Sequence, residues 1–566
     1  MARPAVRYTE EFRRIEALPR RQLTQADADA WAEVLTPVLR ERGATCRLRP
    51  WQALSIAEVL EAGGGFLALP VGVGKTLLGP AIALQCGARR PLQIVPAALR
   101  EKTYADFGSY RGQWKQAKHP IRVVSREELA LERFKTFLDE YQPDLIDIDE
   151  ADDFSNPKSA AVRVIDRYVM ARRDAGKKLI VVAKTGTPSR KSIMNYWHLM
   201  CWCLGDKAPV PLDESEAQLW ADAIDDRSEY YRRPDPGPLG DDVQEARAWY
   251  LRRLAETPGV VIVDGDSCSA PLTINLRCAF DDAKIDKAFT SFLEDEENPG
   301  GIPVTDPLSR NLLEGQVGCG LYSYWDPPPP APWVAARRAS ARFARDVIDR
   351  TTRTAHPLDT EGQVFRQYRE HPVVEAWLNV RDTFKETTRV KWISDASVRT
   401  AVAWLRESSD PAIVWCGFVE FGRAVAQASG CPYYGRLGKC ETDPGRPGLH
   451  AVSGNHSIVA SWQANKKGFN LQAFGRMAIF APPPSAKWLE QVFGRAHRAG
   501  RDAPVVVDIF ATSGGTFDAF DSAIREARFA KSTIGLTQKL LRAEVTREKP
   551  VVTRSNEYRW ATRQKQ

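Results

Sequence analysis

One stretch, Phe66 to Thr76, restricts the possible folds of this chain more than any other. An apolar run typical of a buried strand leads into a glycine-containing loop that ends in Lys75 and Thr76, and Leu77 to Leu84 continues as a small, apolar helix. Glycines let several backbone N–H groups point at one anion, and a helix N-terminus adds its positive dipole. The stretch predicts a phosphate-binding loop, although an ordinary glycine turn between strand and helix fits the same residues.

Two acidic residues, Asp149 and Glu150, follow an apolar strand that ends at Ile148. Beside a phosphate-binding loop, one carboxylate can hold Mg²⁺, and a second can orient and polarise an attacking water. We therefore predict a metal-binding role for Asp149 and a catalytic role for Glu150. The alternative is an acidic turn after a strand.

Apolar strands alternate with helical segments in two parts of the chain. The first part has strands at 91–95, 121–124 and 179–183, and the second has strands at 412–416 and 477–480. Such alternation is typical of parallel sheets with right-handed crossovers, and the loops at the carboxyl ends of their strands form the working edge.

Composition limits the class of protein. The chain has 566 residues, 43% hydrophobic and 27% charged, with a formal net charge of +7. No apolar run approaches the roughly 18 residues of a membrane span, and the charged segment Met1 to Arg21 lacks the apolar core of a signal peptide. The ten cysteines have no zinc spacing, so we expect no zinc. We expect a cytoplasmic protein of a bacterium or of a phage-infected cell, without a membrane partner.

A basic segment, Gln491 to Arg501, stands near the end of the second α/β part. If it is helical, Arg495 and Arg498 lie at i and i+3 on one face, where they can stabilise charge on a transferring phosphoryl group. A basic surface helix is the alternative. His497 is predicted to be a hydrogen-bonding partner rather than a metal ligand.

Aromatic residues precede a proline run at 327–330. Tyr322, Tyr324 and Trp325 can stack on nucleic-acid bases or pack on these prolines. The sequence favours packing on the prolines.

The order of these motifs resembles that of superfamily 2 helicases, and within them the SWI2/SNF2-like DNA translocases. Gly72 to Thr76 resembles motif I, Asp149 to Asp152 motif II, and Thr185 to Pro188 motif III. The other segments that resemble family motifs are Leu48 to Gln52 (the adenine-reading segment), Pro96 to Leu99 (Ia), Ile413 to Phe418 (IV), Gly468 to Leu471 (V) and Gln491 to Arg498 (VI).

The resemblance implies an α/β fold of two RecA-like lobes, each built on a parallel sheet, with a mostly helical insertion between them and Mg-ATP in the cleft between the lobes. It divides the chain into an N-terminal helical segment (1–45), lobe 1 (46–205), an accessory region (206–385), lobe 2 (386–530) and a C-terminal helix and tail (531–566).

The resemblance also assigns roles to individual residues. ATP binding falls to Arg49, Gln52, Gly72, Val73, Gly74, Lys75 and Thr76; Mg²⁺ binding to Thr76 and Asp149; catalysis to Glu150, Gln491, Arg495 and Arg498; coupling to Thr185 and Thr187; and DNA-backbone contacts to Arg100, Lys102, Phe418, Lys466, Lys467 and Asn470.

Motif II spells Asp-Glu-Ala-Asp, as in RNA helicases, but motif III (Thr-Gly-Thr-Pro) and Gln491 at the start of motif VI resemble the SNF2 group. The resemblance thus implies an ATP-dependent motor on duplex or branched DNA, and the compact plan is similar to small SNF2-like proteins of bacteriophages. The alternatives are an RNA helicase, a motor subunit that works with a partner nuclease in a restriction or defence complex, and a binding module with vestigial ATPase lobes.

Overall fold

The computed structural model describes residues 4–70, 72–134, 136–187, 191–226, 233–265, 268–294, 307–351, 354, 358–385, 387–465 and 468–561. Three positions named above lie outside this part of the chain: Pro188, Lys466 and Lys467. No helix among the described residues is long and apolar enough to span a bilayer.

The strands follow one another along the chain as β1 Gly65–Ala68, β2 Pro91–Val95, β3 Arg122–Ser125, β4 Leu145–Ile148, β5 Ile180–Thr185, β6 Val260–Ile262, β7 Leu272–Cys278, β8 Leu321–Trp325, β9 Thr388–Trp392, β10 Ala412–Cys416, β11 Tyr433–Tyr434, β12 Ile458–Ser461, β13 Arg476–Phe480, β14 Val505–Ala511 and β15 Glu544–Arg547.

The helices are α1 Glu10–Ala17, α2 Gln25–Leu39, α3 Pro50–Ala62, α4 Leu78–Gln85, α5 Arg100–Tyr110, α6 Arg126–Leu129, α7 Phe137–Tyr141, α8 Ala160–Asp174, α9 Trp197–Leu204, α10 Glu214–Ile224, α11 Val243–Ala255, α12 Ala283–Glu294, α13 Pro307–Gly318, α14 Ala331–Thr351, α15 Glu361–Gln367, α16 Pro372–Val380, α17 Ala396–Arg406, α18 Val419–Ser429, α19 Trp462–Asn465, α20 Ala486–Ala496, α21 Gly514–Ile534, α22 Lys539–Arg542 and α23 Glu557–Trp560.

The chain forms two compact units, each assembled from separate segments. The first unit contains Met1–Gly265, Arg337–Trp377 and Glu526–Thr537, and the second contains Asp266–Ala336, Leu378–Arg525 and Gln538–Gln566. A parallel sheet with the order β3-β2-β4-β5-β1-β6 lies in the first unit. A parallel sheet with the order β11-β12-β10-β13-β14-β7-β15 lies in the second. The predicted α/β fold class with two parallel-sheet lobes is confirmed.

Both faces of the first sheet are covered, which explains the continuous apolar runs of its strands. Successive residues of a strand point to opposite faces. Along and just beyond β1, Phe66 and Ala68 belong to one buried cluster, and Leu67 and Leu69 belong to another. Each cluster also contains helical residues, so the sheet lies between two helical layers.

Residues 206–385 contribute strands to both parallel sheets. In the first unit β6 pairs with β1, and in the second β7 pairs with β14 along its whole length. The second sheet ends in β15, which pairs with β7 and comes from the C-terminal part of the chain. The accessory region and the tail are therefore built into the sheets, although helices are the main secondary structure of the described part of 206–385.

The aromatic residues before the proline run lie in and next to an antiparallel pair of strands, β8 and β9, in the second unit. Tyr322 is 4% exposed and belongs to a buried cluster with residues of α12 and α13, so it is not free to stack on a base. Trp325 meets Trp333 edge to face, with 6.3 Å between ring centroids, and also lies next to Phe384. Trp325 thus packs on aromatic rings of the second unit, and its packing on the prolines stays a prediction.

A buried histidine gives the first unit a dependence on pH. Nε2 of His198, on α9, lies 2.9 Å from the carbonyl oxygen of Phe154, and burial lowers the pKa of His198 from 6.5 to about 4. Between these two pKa values the unfolded chain binds more protons than the folded chain. The contribution of neutral His198 to the stability of the fold is therefore complete above pH 6.5 and is lost as the pH falls towards 4.

We predict that His198→Gln, whose amide can still donate to Phe154, reduces the acid sensitivity of the first unit. The wild-type chain should lose about 2 kcal/mol more of its unfolding free energy than the variant between pH 7 and pH 4.5. Thermal unfolding of both chains across this range measures the difference. Parallel pH profiles would contradict the buried neutral imidazole.

Candidate nucleotide-binding site

The carboxyl edge of the first sheet brings the predicted motifs together. β5 lies between β1 and β4, and all three strands run in the same direction. The loop after β1 contains Gly72 to Thr76, which we call the phosphate loop; β4 is followed by Asp149 and Glu150, and β5 ends at Thr185. Since the carboxyl ends of parallel strands meet at one edge, the predicted groups of the first lobe share one surface.

The phosphate loop depends on its glycines. Gly72 and Gly74 have φ of +87° and +83°, in the left-handed region that side chains disfavour. These turns leave the backbone N–H groups of Val73, Gly74, Lys75 and Thr76 without an acceptor among the described residues. Backbone donors without partners are uncommon in proteins, and adjacent ones form an anion-binding concavity. The loop therefore fits a phosphate group.

Two residues of the predicted adenine-reading segment hold the loop from the side of α3. The Gln52 side chain donates from Nε2 to the carbonyl oxygen of Gly74 at 3.2 Å and accepts at Oε1 from the N–H of Arg49 at 2.9 Å. Arg49 also reaches the carbonyl oxygen of Val73 at 3.4 Å. Both residues thus support the loop, and their pairing with adenine stays a prediction.

The Lys75 ammonium donates to two carbonyl oxygens between β1 and the phosphate loop, those of Leu69 at 3.1 Å and Pro70 at 3.2 Å. The Thr76 hydroxyl has no hydrogen-bond partner in the part of the chain that the structure describes. A flexible lysine on two neutral carbonyls can turn to a phosphate at little cost, because an anionic acceptor attracts the ammonium more strongly than a neutral one.

Asp149 and Glu150 differ in environment. Asp149 is 8% exposed; its Oδ1 accepts from the N–H of Glu150 at 3.0 Å, and its Oδ2 accepts no hydrogen bond from the described residues. Glu150 has φ of +50° and ψ of +48°, a conformation that costs a non-glycine residue roughly 1–2 kcal/mol. Left-handed backbone of this kind is concentrated at functional sites.

Motifs II and III are joined by hydrogen bonds inside the first unit. Thr185 donates from Oγ1 to Oδ1 of Asp152 at 3.1 Å, and Thr187 donates to Oδ2 at 3.4 Å. The N–H of Thr187 in turn donates to Oγ1 of Thr185. All three residues are buried. The structure thus gives the predicted coupling threonines a definite partner, Asp152, to which the sequence analysis assigned no separate role.

Two buried charges beneath the site were not predicted from the sequence. Asp147 on β4 and Lys184 on β5 form an ion pair with 2.8 Å between Oδ2 and Nζ. Burial raises the pKa of the Asp147 carboxyl. Burial also acts to lower the pKa of Lys184, but the charges of Asp147 and Asp149 and the hydrogen bond to Asp147 together outweigh it, so the pKa of Lys184 rises overall. The signal in the sequence is a charged residue inside each of two otherwise apolar strands.

In the second unit, α20 contains the start of motif VI, and every residue of this helix is buried. Arg495 donates from Nε to the carbonyl oxygen of Gln491 and from Nη1 to that of Phe469 in motif V. The Gln491 side chain is 1% exposed, and its amide has no partner among the described residues. Motifs V and VI are thus joined through Arg495.

The prediction that Arg495 and Arg498 share a helix face is wrong. α20 ends at Ala496, and His497 has ψ of +87°, outside the helical range. Nε2 of His497 lies 2.7 Å from the carbonyl oxygen of Ala270, and its Nδ1 lies 3.1 Å from Nζ of Lys539. These contacts confirm the hydrogen-bonding role predicted for the histidine and place Arg498 beyond the helix.

The residues predicted to contact a DNA backbone are spread over both units. Arg100 and Lys102, in the first turn of α5, are about half exposed and pair with Glu128 and Asp106. Phe418 is half-buried at the start of α18, and Asn470 is exposed. DNA binding by these residues stays a prediction.

No protein-family model matches the sequence, and no curated protein matches it. Among solved structures, the SWI2/SNF2 ATPase core of Sulfolobus solfataricus in complex with double-stranded DNA is similar, with 16% sequence identity and a TM-score of 0.33. The match covers 82% of this chain and 88% of that one. A similarity of this size does not bear on the assignment of function.

We predict that Gly74→Ala destabilises the first unit more than Gly63→Ala. Both glycines have φ near +80°, so each substitution costs about 1 kcal/mol of backbone strain. A Cβ on Gly74 would also lie 3.2 Å from Nε2 of Gln52, whereas no atom lies within 4 Å of one on Gly63. Urea unfolding of the two variants measures the difference. Equal losses would contradict the support of the loop by Gln52.

Proposed function

We propose that this protein is an Mg²⁺-dependent ATPase of the SNF2-like type that couples ATP hydrolysis to movement along duplex or branched DNA. The observation that carries the ATPase part is the row of four N–H groups without acceptors, Val73 to Thr76, at the same sheet edge as Asp149 and Glu150. An anion-binding loop beside two carboxylates suits a nucleotide phosphate with its metal.

The roles in binding follow from the chemistry of each group. The N–H groups of the phosphate loop and the Lys75 ammonium would bind the phosphates. The Thr76 hydroxyl and Oδ2 of Asp149 would hold Mg²⁺, a cation that keeps several waters and needs few protein oxygens. When bound, the metal neutralises phosphate charge. Both proposed ligand atoms lack other hydrogen-bond partners among the described residues, so the donor set fits this ion.

The roles in catalysis fall to residues of motifs II and VI. Glu150 would accept a proton from the attacking water and orient it. Arg495 and Arg498 would stabilise charge on the transferring phosphoryl group, and Gln491 would support them. The hydrogen bond from Arg495 to motif V supports the catalytic role proposed for this residue, because it fixes the position of the guanidinium group.

The DNA part of the proposal depends on the order of the sequence motifs. SNF2-like motors hold the phosphate backbone and do not read bases, so binding should be salt-sensitive and indifferent to sequence. Arg100, Lys102, Phe418, Asn470, Lys466 and Lys467 are the residues that we propose for these contacts. The net charge of +7 is compatible with such a partner.

We predict that duplex or forked DNA stimulates ATP hydrolysis by this protein and that Lys75→Ala abolishes the stimulated rate. Hydrolysis should be measured at moderate salt with no nucleic acid, single-stranded DNA, duplex DNA, forked DNA and RNA in parallel. Stimulation by RNA alone would overturn the DNA assignment in favour of an RNA helicase. Lack of stimulation by all of these would contradict an autonomous motor.

We predict that Glu150→Gln binds ATP with wild-type affinity and does not turn it over. The amide keeps the shape of the carboxylate but cannot accept the proton of the attacking water. A fluorescent ATP analogue measures binding, and phosphate release measures turnover. The exposed Glu140→Gln serves as a matched control and should behave like the wild type. Hydrolysis by Glu150→Gln at the wild-type rate would remove Glu150 from the mechanism.

A further inference from the structure

A cluster of buried polar side chains lies directly beneath the phosphate loop. It consists of Gln93 on β2, Asp147 on β4 and Lys184 on β5, and all three are at most 2% exposed. Gln93 and Asp147 are register partners, and Lys184 lies two residues beyond Val182, the register partner of Asp147. Side chains at these positions point to the same face of the sheet.

Asp147 contacts the helix that follows the loop. A Cβ built on Gly79 of α4 would lie 2.3 Å from Oδ2 of Asp147 and 3.3 Å from Oε1 of Gln93. The absence of a side chain at Gly79 is therefore what allows these two polar groups to reach the helix backbone. α4 begins three residues after Lys75, so the carboxylate lies against the base of the loop.

Lys184 contacts the loop itself. Its Nζ donates to Oδ2 of Asp147 at 2.8 Å and lies 3.5 Å from the backbone carbonyl oxygen of Lys75. The next residue along β5 is Thr185, which binds Asp152. The ion pair thus connects the backbone of the phosphate loop with the strands that carry Asp149 and Thr185.

An ion pair in this place is a poor stabiliser. Removing two charges from water costs several kcal/mol for each ion, and apolar residues of similar volume are often as stable or more stable. The cluster is also only partly satisfied, because Oδ1 of Asp147 and both amide atoms of Gln93 have no partner among the described residues. Directional hydrogen bonds, however, fix positions in a way that apolar packing does not.

We propose that Asp147 and Lys184 are positioning residues that hold the phosphate loop in its nucleotide-binding conformation. This inference depends on the proposed ATPase function, since it assigns the pair to the affinity of the loop for nucleotide phosphates. The pair does not touch the reacting atoms, so its loss should raise the KM for ATP more than it lowers kcat.

The test replaces the pair with apolar residues of similar size, in Asp147→Leu/Lys184→Met. This variant should unfold at a temperature no lower than that of the wild type, because no buried charge is left unpaired. Its Kd for a fluorescent ATP analogue with Mg²⁺ should nevertheless rise about tenfold, within the hundredfold that a shift of about 1 Å can cost. A purely stabilising pair would leave this Kd unchanged, and that result would overturn the proposal.

The control removes another buried ion pair of the first unit, Arg163 and Asp359, which are joined at 3.2 Å; Asp359 also pairs with Arg167, whose side chain is 31% exposed and stays in contact with water. Arg163→Met/Asp359→Leu should leave the Kd for the ATP analogue unchanged. If the main variant fails to fold, Asp147→Asn keeps the volume and removes one charge, and the same rise in Kd is expected. Wild-type affinity in a folded Asp147→Asn variant would also overturn the proposal.

The same measurements separate this inference from the proposed function. A wild-type chain that does not bind the ATP analogue, or a Lys75→Ala variant that binds as tightly as the wild type, would contradict the nucleotide site itself. Loss of binding in Lys75→Ala together with full binding in the apolar double variant would contradict only the role of Asp147 and Lys184.

Discussion

The pairing of β5 between β1 and β4 is the constraint on which the candidate site depends. Parallel strands bring their carboxyl ends to one edge, and here that edge collects the phosphate loop, two carboxylates and two threonines from three segments between residues 72 and 187. The register is rigid because both faces of the sheet are buried, so a slip by one residue would exchange the two faces. The geometry of the site is thus set by the core beneath it.

The elements that could be predicted from the sequence are those with local signals. A few neighbouring residues are enough to recognise the glycines of the phosphate loop, the apolar strands and the acids after β4. The structure has these features where we expected them. The short strand β6 and the strand β7 could not be predicted as members of the two sheets, because their partners, β1 and β14, are distant in the chain. Periodicity identifies a strand but not its neighbour.

The error in motif VI has a different physical origin. The sequence pattern of motif VI is compatible with a helix through Arg498, but the helix ends two residues earlier, at Ala496, where His497 makes contacts with Ala270 and Lys539. Tertiary hydrogen bonds overrode local propensity there. The sequence also could not predict that the rings of Trp333 and Phe384 lie next to Trp325, because only the fold brings them near.

Polar groups around the candidate nucleotide site fall into two sets, one paired beneath the surface and one unpaired at the surface. This difference explains how a rigid fold can present polar groups that are available to a ligand. Beneath the surface, Asp152 accepts from two threonines and Asp147 accepts from Lys184, so hydrogen bonds and an ion pair fix this layer. At the surface, the N–H groups of the phosphate loop and the Thr76 hydroxyl have no partners among the described residues. Donors that are held in place but unpaired need little reorganisation to bind an anion, which is the condition for electrostatic preorganisation. On the proposed function, the inner layer sets the geometry of the outer one, so a change of two buried side chains is expected to alter the affinity for nucleotide without touching the ligand.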